Sequence, residues 1–80
     1  MTRLERKIVE LLRERGAGKT ICPSDVARSL EEDEAAWRAL MEPVREAGRQ
    51  LAAQGVLVVT QRGRVVDAAT ARGAIRYRLP

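Results

Sequence analysis

The 80-residue sequence has no histidine and no phenylalanine, one cysteine, and only two aromatic residues, Trp37 and Tyr77. Without histidine, and with Cys22 as the lone thiol, there is no ligand set for a Cys/His zinc site, no disulfide within the chain, and no Cys-His or Ser-His catalytic pair. No cofactor or metal is expected. No apolar run approaches the roughly 18 residues of a membrane span, and charges begin at Arg3, where an export signal would be apolar. The expected compartment is the cytoplasm. Lysine is scarce too, two residues against thirteen arginines.

The 36 apolar residues include twelve alanines, so a core must come from eight Leu, eight Val, three Ile, two Met, Trp37 and Tyr77. That suffices for one small domain over residues 1–80, but not for a deep substrate cavity as well. Residues 1–40 balance eight basic against eight acidic side chains, while residues 41–80 set seven arginines against Glu42, Glu46 and Asp67. The whole net charge of +4 therefore lies in the second half, which suits a polyanionic partner.

Helical spacing of Leu4, Ile8, Leu11 and Leu12 predicts a first helix from Arg3 to Arg15, with Thr2 and Glu5 as a capping box and Gly16 as its stop. Gly16-Ala17-Gly18-Lys19-Thr20 invites comparison with a phosphate loop. Arg13 stands where that motif needs its first glycine, and the segment follows a helix instead of leaving a strand. Pro23 suits a first helical position, which predicts a second helix from Pro23 to Leu30 with Cys22 as N-cap and Asp25 near the positive end of the dipole. Cys22 reads more simply as a small cap than as a redox group, since it has no partner thiol or histidine.

After the acidic run Glu31 to Glu34, the line Ala36, Leu40, Val44, Ala47 and Leu51 predicts a third, long helix to Gln54. Pro43 should kink or break it around Met41 to Pro43. Trp37 and Met41 are expected in the core. Residues 56–66 read as a β-hairpin with Arg62, Gly63 and Arg64 at its tip. Ile75 to Leu79 alternates like a half-buried strand, with Ile75, Tyr77 and Leu79 inward and Arg76 and Arg78 outward.

Three helices, a hairpin and a final strand make an α+β class, in the order of a winged helix-turn-helix. The stretch Lys19 to Arg28, then Trp37-Arg38, Leu40-Met41 and Val44-Arg45, then Thr60-Gln61 with Gly63, and last Gly73 with Ile75-Arg76, also resembles a family of small bacterial winged-helix-like proteins known only as a domain of unknown function. Ala74 departs from the proline expected after Gly73. The resemblance implies the fold and brings no activity with it.

A winged helix would bind double-stranded DNA in the manner of a transcriptional regulator, without catalysis. Arg38, Arg45 and Arg49 are the expected contacts of the third helix, Arg62 and Arg64 the wing anchors, and Arg76 and Arg78 an extension of the phosphate track. Two readings compete with this. The helical arginines can instead pair with Glu34, Glu42 and Glu46, and the same scaffold can serve as a protein-interaction module with incidental charge. Monomer and homodimer remain equally open.

Overall fold

The computed structural model describes all of residues 1–80. It is an α+β structure of four helices and one three-stranded antiparallel sheet: α1 (Arg3–Arg15), α2 (Pro23–Leu30), α3 (Glu34–Ala39), α4 (Met41–Ala53), β1 (Val58–Gln61), β2 (Arg64–Val66) and β3 (Arg76–Arg78). No helix is long and apolar enough to cross a membrane.

The first two helices begin and end as the sequence predicts. At α1, the Thr2 hydroxyl accepts from the Glu5 N–H at 3.1 Å, and the Thr2 N–H donates to the Glu5 carboxylate at 2.8 Å. At α2, the Cys22 N–H donates to Asp25 Oδ2 at 2.9 Å. The buried stripe of α1 is Ile8, Val9 and Leu12, so Val9 takes the place expected of Leu11, which is half-buried.

The expected third helix is two helices. The chain parts at Leu40, one residue before the predicted break, and Pro43 falls in the first turn of α4. There its missing N–H costs nothing, whereas in a continuous helix its ring would strike the Ala39 carbonyl. α3 buries none of its residues. Trp37 of α3 and Met41 at the start of α4 lie half-buried against the core and not within it, a correction to the sequence expectation.

α4 is the hub, touching α1, α2, α3 and β1. It contributes Val44, Ala47 and Leu51 to a cluster of 13 buried apolar residues, alongside Ile8 and Leu12 of α1, Val26 of α2 and the sheet residues Val59 and Tyr77. The strand order is β2-β1-β3, with Val59 opposite both Val66 and Tyr77. Beyond β3 the sheet gains one more bridge, because Ile21 and Tyr77 exchange backbone hydrogen bonds of 2.9 and 2.7 Å. That bridge joins the loop between α1 and α2 to the far end of the chain.

Two capping carboxyls make the fold sensitive to acid. The Thr2 backbone and hydroxyl hold Glu5 below its ordinary pKa. Burial opposes ionisation of Asp25, but the Cys22 hydrogen bonds and the nearby Arg15 and Arg76 outweigh it, so its pKa is lowered as well. A carboxyl lowered by folding stabilises fully above its unfolded pKa and loses that contribution as pH falls through the native value. The melting temperature should therefore hold steady from about pH 8 to 6 and fall below about pH 4. A thermal melt unchanged at about pH 3 would contradict these two caps.

Candidate nucleic-acid interface

Between β1 and β2 the chain reverses through Arg62 and Gly63, both at positive φ, 51° and 81°. A two-residue turn of that sign matches the natural twist of a hairpin, and glycine adopts it freely. The tip presents Arg62 and Arg64, both exposed. Beneath it, the Gln61 carboxamide donates to the Arg72 and Ala74 carbonyls, the second at 3.3 Å, and so ties the return segment under the hairpin. On β3, Arg76 lies opposite Thr60 of β1. Its guanidinium donates to the Thr20 hydroxyl at 2.6 Å and to the Thr20 carbonyl at 3.2 Å.

These pieces enclose a groove of about 1000 Å³ lined by Arg62, Arg64, Arg72 and Arg76, with Thr60 and Cys22 also on its wall. No aspartate or glutamate lines it. The guanidinium groups of Arg62, Arg64 and Arg72 make neither an ion pair nor a hydrogen bond within the chain. Arg45 reaches the rim from α4, donating to the Gly73 carbonyl at 3.1 Å. Cationic groups from α4, the hairpin, the 72–75 segment and β3 thus share one side of the molecule.

The remaining expected contacts do not join them. Arg38 pairs with Glu34 at 2.8 Å one turn back, and its guanidinium lies 5.0 Å from the centre of the Trp37 ring. Arg49 is claimed by two acids, Glu42 at 2.7 Å and Glu46 at 2.9 Å. Hydrogen bonds from Gln50 and Arg49 hold the Glu46 carboxyl below its usual range, and those to Glu42 and Glu46 raise the Arg49 pKa. For Arg38 and Arg49, the pairing reading of the sequence is the one realised. Arg45 escapes it, because its partner is a carbonyl across the fold. Arg78 bonds the Leu79 carbonyl at 3.0 Å and stays outside the groove.

Arg72 and Thr60 belong to the groove, though the sequence did not mark either as a contact residue. Arg72 lies in an aperiodic stretch that gives no orientation, and Thr60 reads simply as a strand residue. What the groove offers chemically is a set of planar forks that can meet phosphate oxygens two at a time, with no carboxylate on its wall and Asp25 acting on Arg76 from outside it. No group of three or more Cys, Asp or Glu side chains is placed to hold a metal ion.

A family described as a protein of unknown function, DUF3253, matches the chain over residues 1–80. The chain belongs to DUF3253. The match spans both the helical half and the sheet that carries the arginine groove, so the groove lies inside the DUF3253 region. No curated protein matches the sequence.

Proposed function

We propose that this DUF3253 chain is a cytoplasmic winged-helix protein that binds duplex DNA by its phosphate backbone, holding it in the arginine groove without catalysis. The order of elements supports the scaffold: a helix, an extended residue, further helices, then strands that close back onto the extended residue through the Ile21–Tyr77 bridge. In this reading the wing is the whole connection from Arg62 to Ala74, and β2 is a short strand folded within it.

The observation that carries the DNA reading is the convergence of Arg62, Arg64, Arg72 and Arg76 on one acid-free groove. Contacts of this kind set affinity and register, and carry no base sequence themselves. The α3 and α4 surface is a poor candidate for base reading, since Glu34, Glu42 and Glu46 occupy it and hold its arginines.

Four phosphates neutralised on duplex DNA correspond to a log–log salt slope of about −3.6, with binding of a random sequence in roughly the 1 to 100 µM range at physiological salt. Fluorescence anisotropy of a labelled duplex, titrated at several salt concentrations, measures both quantities. Absence of binding at about 50 mM salt, or a slope near zero, would reject the proposal.

One observation favours the protein-interaction alternative. Val65 is 59% exposed and borders an apolar hollow of about 310 Å³ between the hairpin and the end of α4. Under that reading the duplex titration gives no signal.

A further inference from the structure

Thr60 stands out among the groove residues. It lines the groove and is only 3% exposed as a residue, and its hydroxyl, which is not sealed from solvent, has no partner within the chain. A hydroxyl that lines a groove and is not committed to a partner within the chain is available to hydrogen-bond a ligand atom there. Four arginines line the same groove. Two parts of this frame are held in advance: Arg76 by Thr20, and the 72–74 segment by Gln61.

A wing that merely leans on a duplex needs exposed arginines and no concavity. The groove offers more than that: about 1000 Å³, several arginines on its wall and an uncommitted hydroxyl. A phosphodiester brings one charge and two free oxygens. A terminal phosphate brings nearly two charges and three free oxygens, enough to meet the Thr60 hydroxyl and the arginine forks together.

We propose that this groove, lined by Thr60 with Arg62, Arg64, Arg72 and Arg76, is a site for a terminal phosphate, supplied either by a nucleic-acid 5′ end or by a free phosphoanhydride. The proposal rests on the reading of the groove as a phosphate-binding surface, and the following test separates the two.

Anisotropy is measured with two duplexes of one sequence, one carrying 5′-phosphates and one 5′-hydroxyls, and melting temperature is measured with and without inorganic pyrophosphate. The expected result is about tenfold tighter binding of the phosphorylated duplex, the ratio one added charge-assisted hydrogen bond supplies. In Thr60→Val that preference, read as the ratio of the two affinities, should shrink to within about twofold. The variant should melt no lower than the parent, since it removes an unpaired hydroxyl and keeps a β-branched chain. Equal affinity of the parent for both duplexes overturns the proposal and leaves backbone binding intact. If neither duplex binds, yet pyrophosphate raises the melting temperature of the parent and not of Thr60→Val, the duplex reading fails and the site stands with a free phosphoanhydride as its ligand. Pyrophosphate without effect, together with no duplex binding, rejects both.

Discussion

Reversing Arg62 and Arg64 together to glutamate should lower duplex affinity by about 100-fold or more at low salt and reduce the salt slope from about −3.6 to about −1.8, the value for two remaining phosphate contacts. Both side chains are exposed at the hairpin tip and line the groove, so nothing in the chain compensates for their loss. The substitution also places two negative charges where phosphate would lie. The turn itself should survive, because Gly63 is kept and Arg62→Glu puts one non-glycine residue in place of another at φ 51°. Arg38→Ala and Arg49→Ala are the informative contrast. Their charges are already spent on Glu34, Glu42 and Glu46, so each should change the slope by less than half a unit in salt-titrated anisotropy. A slope that responds equally to all four arginines would mean that the α3 and α4 surface is the true interface.

Gly48→Ala should be the most damaging single change to the fold. Gly48 lies in the middle of α4 directly against Tyr77, and a Cβ there would overlap the tyrosine Oη and Cζ, with Cε1 at 2.7 Å. Tyr77 cannot give way. It is fully buried, it pairs with Val59 on one side and with Ile21 on the other, and burial pushes its hydroxyl pKa up to about 12. In other helix interiors alanine is preferred to glycine by up to about 1 kcal/mol, but overpacking at a rigid contact costs about 3 kcal/mol and so decides the sign. The net cost of about 2 kcal/mol lowers the melting temperature by roughly 8 to 16 °C for a domain of this size. Tyr77→Phe separates space from hydrogen bonding. The Tyr77 hydroxyl is buried with no partner, so removing it should leave the melting temperature unchanged or slightly higher. Gly48→Ala combined with Tyr77→Leu should be less destabilised than the sum of the two single changes, since the ring that causes the clash is gone. A Gly48→Ala protein as stable as the parent would mean that α4 and β3 pack differently.

The elements that came straight from the sequence are those with short-range causes. Thr2 with Glu5, Pro23 with Asp25, and Arg62-Gly63 act on backbone groups within a few residues, so the limits of α1 and α2 and the hairpin turn were legible in the order of residues. Alternation placed Ile75 and Tyr77 inward for the same reason: a strand's period is a local property. Pro43 announced an interruption, but its position at Leu40 depended on where the two helices could each pack, so the break fell one residue away.

Ownership of the arginines followed a different rule. Arg38 and Arg49 took acids one or two turns back, a choice the spacing allowed but could not select, because each had both an intrahelical partner and an external one in prospect. Arg45 bonds a carbonyl 28 residues away, and Arg76 bonds Thr20 across 56 residues. These contacts exist only once β3 lies between β1 and Ile21. The amino-acid order therefore determined the helices, the turn and the excess of positive charge, since each arises from neighbours along the chain. Only the closure of the sheet decided which cations stayed free and gathered with Thr60 in one groove, because that closure alone brings together residues that the chain keeps far apart.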